Sequence, residues 1–310
     1  MWYNFLKKGA VKVRIVIVGS GSIGMLMAFY LSKKGHNITL LTNRDEQAFR
    51  LKDKGLHIIH HDQQIEVVTV HAQTLLTYTN EESIDVAIVA VKSYQVEQVL
   101  TTLQELNVKS ILFTQNGMGH TDLFPKVEKE ELSVAVIEHG ALRINDYTVH
   151  HTGVGQLRWS YVRKKDNDVQ VMFGNREDSL FPIQYEQNWL KMLERKLIVN
   201  ACINPLTALL RVKNGELVEN QHHKRMLRAV FNDVMEVLKF EHHEELWVHL
   251  CEICQRTALN RSSMLSDIEH NRQTEIDSIL GYLMKKADQE QYQSNLLTFL
   301  YHSVKSQEEF

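Results

Sequence analysis

The chain has 310 residues, of which 44% are hydrophobic and 24% are charged, and its formal net charge is −3 at pH 7. This length is enough for two domains with sizeable cores, and the composition is ordinary for a soluble globular protein. The small net charge gives no general attraction for nucleic acid or for an anionic membrane, and no apolar run approaches the roughly 18 residues of a membrane span.

The first predicted element is a strand that runs into a glycine-rich turn and then a helix. Residues 1–8 place their charges after the apolar residues, unlike a secretory signal, and are expected to be a short extension. An apolar run from Val13 then leads into Gly19-Ser-Gly-Ser-Ile-Gly24, and residues 25–34 have a helical pattern.

This order of strand, glycine turn and helix matches the dinucleotide-binding fingerprint. In that fingerprint the first glycine allows the tight turn, the second lets the backbone approach a pyrophosphate, and the third lets the helix pack on the strand. The alternative is a buried strand followed by a turn that happens to hold three glycines. The predicted cofactor contacts in this turn are Gly19, Ser20, Gly21, Ser22, Ile23 and Gly24.

The end of the second predicted strand, residues 37–44, indicates which cofactor is bound. An NAD enzyme usually has Asp or Glu here to accept a hydrogen bond from the ribose 2′-hydroxyl. This chain has Thr42, Asn43 and Arg44, with Asp45 just beyond. Because a guanidinium pairs with a phosphate, we expect NADP(H), with Arg44 at the 2′-phosphate. The alternative is that Arg44 is a solvated loop cation and Asp45 binds the ribose.

Two nearly all-apolar runs, 85–91 and 110–114, are typical of parallel strands covered on both faces. A helical pattern, residues 95–103, lies between them. Lys92 follows the first strand and Asn116 the second, and ligands in open α/β sheets bind at such carboxyl ends. Both are therefore candidate ligand contacts, and the alternatives are a surface lysine and a turn asparagine.

The remaining strand signals set the boundary of the first domain. Short apolar alternations in 56–70 indicate a hairpin or edge strands, and 132–137 and 153–157 are predicted to be the closing strands. From Trp189 onward the apolar positions recur at helical spacing. We therefore predict a Rossmann-type α/β domain with a mostly parallel sheet, residues 1–181, and an all-α domain, residues 182–310. The motifs described next assign substrate binding and catalysis to this second domain.

Lys196, Asn200 and Asn204 form a polar stripe in an otherwise apolar helical segment. Their i, i+4, i+8 spacing drifts by only about 40° per step, so all three lie on one side of a helix. A buried amide without a partner costs on the order of 1–3 kcal/mol, so the stripe indicates a polar groove that faces a ligand. Because Asn204 precedes Pro205, it could instead cap the start of a new helix.

A third group lies in residues 255–288, where Ser262 and Ser263 precede a long helical pattern that contains Glu275. On the residues alone, either serine could simply cap the helix, and Glu275 could be a solvated charge.

Three cysteines, Cys202, Cys251 and Cys254, cannot form a disulfide framework, so we expect a reducing, cytoplasmic setting. Cys251 and Cys254 have nearby histidines, but their i, i+3 spacing in an apolar-periodic helix fits helix packing. The prediction is that no metal is bound.

Taken together, these groups resemble the ketopantoate reductase family, from about Val13 to about Lys286. The glycine turn is unspecific, but the other motifs match the family pattern in order and spacing. They are Gln115-Asn-Gly-Met-Gly119, the Lys196/Asn200/Asn204-Pro205 stripe, Asn214-Gly-Glu-Leu217, Ser262-Ser-Met-Leu265 and Thr274-Glu-Ile-Asp277.

The resemblance implies NADPH-dependent reduction of 2-dehydropantoate, a small 2-keto acid, to (R)-pantoate on the route to pantothenate and coenzyme A. It implies that Lys196 donates the proton to the nascent alkoxide. Positions that match the family's substrate contacts are Asn116, Asn200, Asn204, Asn214 and Ser263. Positions that match its cofactor contacts outside the glycine turn are Lys92, Asn116, Ala141 and Glu275.

The chain departs from the family pattern at two places. Asn43 stands where the family usually has its arginine, so that Arg44 is displaced by one residue. Ile137 and Glu138 replace the small hydroxyl residues expected before His139. The alternative functions are a related NADP-dependent 2- or 3-hydroxyacid dehydrogenase and a non-enzymatic NADP(H)-binding sensor. Apolar helical faces in the second half fit either a core or a homodimer interface.

Overall fold

The structure is a computed structural model that describes residues 12–79, 82–174 and 178–308, so the expected extension at 1–8 lies outside the described residues. The chain divides into two compact units. The first contains the described residues up to Gln115 together with Leu123–Met192, and the second contains Asn116–Asp122 together with the described residues from Leu193 on. The functional division at residues 181 and 182 stays a prediction.

The main sheet of the first unit confirms the Rossmann-type prediction. Within the described residues its strand order is β12-β11-β8-β7-β6-β1-β2-β5, and the six strands from β8 to β5 are mutually parallel. Strands β11 and β12 run in the opposite direction at one edge. The strands are β1 (Arg14–Val18), β2 (Asn37–Thr42), β5 (His71–Thr74), β6 (Ile84–Val89), β7 (Val108–Phe113), β8 (Glu131–Ile137), β11 (Leu157–Arg163) and β12 (Ile183–Tyr185).

A smaller sheet of the order β4-β3-β10-β9 lies beside the first helix, α1 (Ser22–Lys33). Helix α1 contacts β1 and β2 of the main sheet and also β3, β9 and β10 of the small sheet. This position explains why the side chains of residues 24–31 are all buried, since a helix covered on both sides is apolar all round. The small-sheet strands are β3 (Leu56–Ile59), β4 (Ile65–Val68), β9 (Gly140–Arg143) and β10 (Thr148–Gly153).

The hairpin predicted in 56–70 is confirmed as β3 and β4, but the closing strand predicted at 153–157 is wrong. Gly153 ends β10, and β11 begins only at Leu157. The reason is Gly155, where a Cβ atom would lie 2.3 Å from the Glu138 carbonyl oxygen. The chain therefore passes close to Glu138 in a tight connection and does not form a strand there. The other helices of this unit are α2 (Asp45–Lys54), α3 (Val96–Glu105) and α4 (Asp168–Phe173).

The second unit is helical, as the sequence predicts from Trp189 onward. Helix α5 (Trp189–Leu210) runs without interruption through Pro205, so the interpretation of Asn204 as the cap of a new helix is wrong. The long helical pattern predicted after Ser263 does not form one helix, because residues 263–289 are divided among α9 (Ser263–Glu269), a π-helical turn (Asp277–Gly281) and α10 (Tyr282–Gln289). The other α-helices of this unit, among the described residues, are α6 (Glu216–Glu219), α7 (Gln221–Leu238), α8 (His243–Arg256) and α11 (Asn295–Lys305). Of the described helices, none combines the length and apolar character that crossing a bilayer requires.

A buried chain of hydrogen bonds links Tyr30 of α1 to two histidines in the core of the first unit. The Tyr30 hydroxyl lies 2.9 Å from His151 Nδ1, and His151 Nε2 lies 3.0 Å from His139 Nδ1. The Gly155 N–H donates to the same His139 Nδ1 at 3.2 Å, so this nitrogen is an acceptor. His139 is therefore neutral, and His151 donates to it through Nε2. Because burial lowers the pKa of His151 to about 4, this ring is also neutral near pH 7, and its Nδ1 accepts from the Tyr30 hydroxyl.

The histidine chain makes stability depend on pH. Burial lowers the pKa of His139 to about 4, with a smaller contribution from His151, and burial likewise lowers the pKa of His151 to about 4. An unfolded histidine has a pKa of about 6.5, so protons favour the unfolded chain as the pH falls from about 6.5 toward 4. We expect each of these histidines to lower the free energy of unfolding by about 1–2 kcal/mol between pH 7.5 and pH 5.

Urea unfolding at a series of pH values tests this expectation on the wild type and on His139→Asn, which keeps an acceptor near the Nδ1 position. The variant should lose less stability on acidification than the wild type does. Equal losses in the two proteins would contradict the assignment.

Candidate functional site

The glycine turn between β1 and α1 has the backbone that the fingerprint requires. Gly19 has a φ of +110°, and a Cβ atom there would lie 2.8 Å from the Ala90 backbone. A Cβ atom on Gly24 would lie 1.8 Å from the Gly19 carbonyl oxygen. At Gly21, by contrast, a Cβ atom would meet no described atom within 4 Å. Gly19 and Gly24 therefore serve the fold, whereas Gly21 leaves open space beside the turn.

The N-terminus of α1 is suited to an anion. Its cap residue is Gly21, which has no side chain to bond to the first-turn N–H groups, and the first turn has no acidic residue. The N–H groups of Ser22, Ile23 and Gly24 lie at the helix start, where they have no intrahelical partner. Their donors and the helix dipole favour negative charge at this point, so the turn fits the pyrophosphate of a dinucleotide.

Gln47, a buried residue of α2, joins the glycine turn to a distant loop. Its Oε1 accepts a hydrogen bond from the Ser20 hydroxyl at 2.7 Å, and its Nε2 donates to the Ser20 carbonyl at 3.0 Å. The same Nε2 donates to the carbonyl of Asp146 at 3.1 Å. Ser20, which the sequence places among the cofactor contacts, is therefore held by both its side chain and its backbone.

Arg44 lies directly before α2, and its side chain is 49% exposed. Its guanidinium forms a hydrogen-bonded ion pair with Asp146 and lies 3.8 Å from a Glu46 oxygen. The Thr42 hydroxyl donates to the Arg44 carbonyl at 2.8 Å, which fixes the backbone at this point. Arg44 thus has an exposed guanidinium at the start of α2, the helix whose Gln47 bonds to the glycine turn. This position fits the predicted pairing of Arg44 with a 2′-phosphate.

Two further residues predicted to contact the cofactor lie elsewhere in the first unit. Lys92 is half-buried and follows β6 by three residues, and its carbonyl accepts a hydrogen bond from the Gln95 N–H. Ala141 is half-buried on β9, where it pairs with His151 of β10. Lys92 is thus at the carboxyl end of a main-sheet strand, whereas Ala141 belongs to the small sheet.

In the second unit, three of the predicted residues form one hydrogen-bonded chain. Asn116 donates through Nδ2 to a Glu275 carboxylate oxygen at 3.2 Å, and its Oδ1 accepts from Asn200 Nδ2 at 3.4 Å. Asn200 and Glu275 are each only 6% exposed. The orientation of the Asn116 amide is therefore set by a carboxylate on one side and by an amide donor on the other.

Ser278, at the π-helical turn, holds the backbone on which Asn116 sits. Its carbonyl accepts from the Met118 N–H at 2.8 Å, and its hydroxyl lies 3.2 Å from the Asn116 carbonyl. Gly117 has a φ of +72°, and a Cβ atom there would lie 2.2 Å from the Ser278 carbonyl oxygen. Only glycine fits this close approach, and π-helical turns are frequent at functional sites.

Helix α5 places Lys196, Asn200 and Asn204 along one side, because it continues without a break through all three positions. Lys196 is half-buried, and Asn204 is only 8% exposed. The stripe therefore places one cation and two amides on the same side of α5. One of these amides, Asn200, bonds to Asn116.

Asn214 and the serine pair lie outside the Asn116 chain. Asn214 donates through Nδ2 to the Thr257 hydroxyl at 2.9 Å, and its buried Oδ1 has no protein partner within the described residues. Ser262 caps α9 by accepting from the Leu265 N–H at 3.0 Å, so the capping interpretation holds for this serine. Ser263 is exposed as the first residue of α9. The substrate contacts predicted for Asn214 and Ser263 stay predictions.

The residues predicted from the sequence do not include Gln47, Asp146 or Ser278. A signal for Gln47 was present, because it shares the buried face of α2 with Ala48 and Leu51, where a polar side chain needs partners. Asp146 has no such signal, since its partners lie about a hundred residues earlier in the chain.

The cysteines of the second unit are buried or half-buried on helices α5 and α8. Burial raises the pKa of the Cys254 thiol to about 12, so it stays protonated at neutral pH. Throughout the described ranges, no group of three or more His, Cys, Asp or Glu residues could hold a metal ion.

Two family models match this chain, and together they span most of it. The model described as ketopantoate reductase PanE/ApbA matches residues 15–164, and its C-terminal counterpart matches residues 188–308. The chain belongs to the ketopantoate reductase family. The motifs that predicted the family therefore lie within the matched ranges.

Similar members of the family come from several bacteria. The chain is 39% identical over 297 residues to the 2-dehydropantoate 2-reductase of Bacillus subtilis (strain 168), which covers 96% of this chain and 98% of that protein. It is 35% identical to the protein of the same name from Listeria innocua, over 96% of this chain and 97% of that protein.

Solved structures show the same fold. The crystal structure of the probable 2-dehydropantoate 2-reductase panE from Bacillus subtilis has a TM-score of 0.85 and 39% identity, and it covers 95% of this chain and 100% of that chain. A D-mandelate dehydrogenase solved with NADH and anilino(oxo)acetate has a TM-score of 0.85 at 23% identity, covering 95% and 98%. At that identity the likeness concerns the fold alone.

Proposed function

We propose that this protein is an NADPH-dependent 2-dehydropantoate 2-reductase, which forms (R)-pantoate on the route to pantothenate and coenzyme A. The observation that carries the proposal is the polar stripe of α5, in which Lys196 is followed by Asn200, itself bonded to Asn116. Family membership over both matched ranges supports the same function.

In this proposal the first unit holds the pyrophosphate and the 2′-phosphate of the cofactor. The N–H groups at the start of α1 bind the pyrophosphate, and Arg44 pairs with the 2′-phosphate. Lys92, Ala141, Asn116 and Glu275 supply the remaining cofactor contacts. NADPH supplies the hydride that reduces the ketone carbon of the substrate.

Lys196 is the proposed proton donor. When the ketone carbon is reduced, its oxygen gains negative charge, and a positioned cation stabilises this charge more in the transition state than in the ground state. Transfer of a proton from Nζ to that oxygen completes the alcohol and leaves the lysine neutral, to be recharged from solvent. Asn200 and Asn204 orient the substrate without a charge that would compete for it, with Asn116, Asn214 and Ser263 as further contacts.

A steady-state assay with 2-dehydropantoate and NADPH tests the function. We expect kcat/KM to be highest for 2-dehydropantoate among a panel of 2-keto acids. Equal values across the panel would instead favour a 2-hydroxyacid dehydrogenase of broad substrate range, and binding of NADPH without any turnover would favour a sensor.

The proposed cofactor preference makes a separate prediction for Arg44→Ala. An exposed guanidinium–phosphate pair contributes about 1–2 kcal/mol, so the variant should lose about 10-fold in kcat/KM with NADPH. Its kcat/KM with NADH should hardly change, because NADH has no 2′-phosphate. An unchanged ratio of the two values would refute the assignment of Arg44.

We also propose a cytoplasmic homodimer. The free cysteines support a reducing compartment, and exposed apolar side chains on the second unit, including Val248, Leu259 and Phe299, support a self-association surface. Light scattering on the purified protein measures the mass directly, and a monomer at micromolar concentration would argue against the dimer.

A further inference from the structure

An ion cluster surrounds the guanidinium to which we assign the 2′-phosphate. Arg44 pairs with Asp146 and approaches Glu46, and Arg50 of α2 lies 2.5 Å from Glu46 and 3.8 Å from Asp146. Two guanidinium groups thus face two carboxylates, and the four side chains have no net charge.

Asp146 is the fixed member of this cluster. It lies in the 144–147 turn, where the Ile144 N–H donates to the Thr148 carbonyl at 3.0 Å and the Tyr147 N–H donates to the Asn145 side chain at 2.9 Å. The Asp146 carbonyl accepts from Gln47 at 3.1 Å. Its side chain is only 15% exposed, against 60% for Glu46.

We propose that Asp146 competes with the cofactor's 2′-phosphate for Arg44 and thereby sets how strongly the enzyme prefers NADPH over NADH. This inference rests on the proposed function, and it adds a specificity-determining residue to it. The Asp146 carboxylate accepts from Arg44 Nη2, one of the donors that a phosphate would use, and a guanidinium binds carboxylates and phosphates with the same donors.

Gln47 keeps the competitor in place. Because Gln47 also bonds to the hydroxyl and the carbonyl of Ser20, the turn that holds Asp146 is tied to the glycine turn. These bonds therefore hold the Asp146 carboxylate beside Arg44. A 2′-phosphate carries a charge of about −1.5 to −2 and must displace or repel this carboxylate to reach the guanidinium.

Removing the charge at position 146 should therefore strengthen binding of the 2′-phosphate. Asp146→Asn keeps the backbone carbonyl that Gln47 holds and has nearly the same shape. We expect it to bind a 2′-phosphorylated nucleotide about threefold to tenfold more tightly than the wild type does. A nucleotide without the 2′-phosphate should bind both proteins equally.

Asp53→Asn is the matched control. Asp53 is an exposed carboxylate near the C-terminal end of α2. Its Cα lies about 12 Å along the helix axis from that of Asp45, the residue directly after Arg44, and this distance exceeds the Debye length of about 8 Å. It changes the net charge of the protein by the same amount, so a general charge effect would appear in both variants.

Isothermal titration with adenosine 2′,5′-bisphosphate and with adenosine 5′-monophosphate tests the proposal without turnover. Tighter binding of the bisphosphate to Asp146→Asn alone, with a smaller gain at high salt, would support it. Unchanged or weaker bisphosphate binding in this variant, or an equal gain in Asp53→Asn, would overturn it.

The same titration separates this inference from the proposed function. If neither nucleotide binds the wild type, the assignment of the nucleotide site fails, and the inference fails with it. If the wild type binds both nucleotides and Asp146→Asn matches it, only the inference fails.

Discussion

Replacing Lys196 by alanine is expected to lower kcat by about 10²–10⁴-fold, the usual contribution of a general acid. The ketone oxygen would then gain negative charge without a nearby proton donor. The affinity for NADPH should stay within about twofold of the wild-type value, because the variant leaves the glycine turn and Arg44 unchanged.

Pre-steady-state reduction of 2-dehydropantoate and a fluorescence titration of NADPH measure these two effects separately. Lys191→Ala is the matched control, since Lys191 is an exposed lysine near the start of the same helix. Lys196→Arg keeps the positive charge but hardly releases a proton. Wild-type turnover in Lys196→Ala would contradict the catalytic assignment. Full turnover in Lys196→Arg would show that Lys196 acts only as a fixed positive charge and not as the proton donor.

Alanine at Gly21 is expected to change the stability of the fold little, whereas alanine at Gly24 is expected to lower it strongly. A Cβ atom on Gly21 meets open space, so the free energy of unfolding should change by no more than about 1 kcal/mol. A Cβ atom on Gly24 lies 1.8 Å from the Gly19 carbonyl oxygen, so helix and turn must separate, at a cost of about 3 kcal/mol or more.

Both variants are expected to lose cofactor affinity, for different reasons. At Gly21 the new methyl group occupies the space through which the backbone approaches the pyrophosphate, so the loss should be at least about tenfold. Urea unfolding together with NADPH titration separates the two cases. A Gly21→Ala protein that binds NADPH as the wild type does would place the pyrophosphate elsewhere.

The sequence predicts best where one local rule decides the structure. The strand, glycine turn and helix around Gly19 follow from periodicity and from glycine stereochemistry, and the structure has them within a few residues of the predicted bounds. The stripe of Lys196, Asn200 and Asn204 also follows from helical spacing alone. Its bond to Asn116 does not, because it joins residues 84 positions apart.

The wrong predictions arise where tertiary packing overrides a local signal. Asn204 before Pro205 is a good start for a helix, yet α5 continues through the proline, since burial of its apolar residues outweighs one lost hydrogen bond. The sequence after Gly153 has the pattern of a strand, but β10 ends at Gly153 and Gly155 passes close to the Glu138 backbone. The roles of Gln47 and Asp146 depend on contacts between distant segments, which no pattern within one segment encodes.

The segment Asn116–Asp122 belongs to the second unit although it is synthesised before the rest of that unit. A gene fragment that starts at Leu193 would therefore encode helices whose Ser278 carbonyl has lost the Met118 N–H as its partner. Such a fragment would also lack the backbone that Gly117 brings against the π-helical turn. Exchanging the helical unit between relatives consequently requires moving two pieces of the gene, the short early one and the long late one.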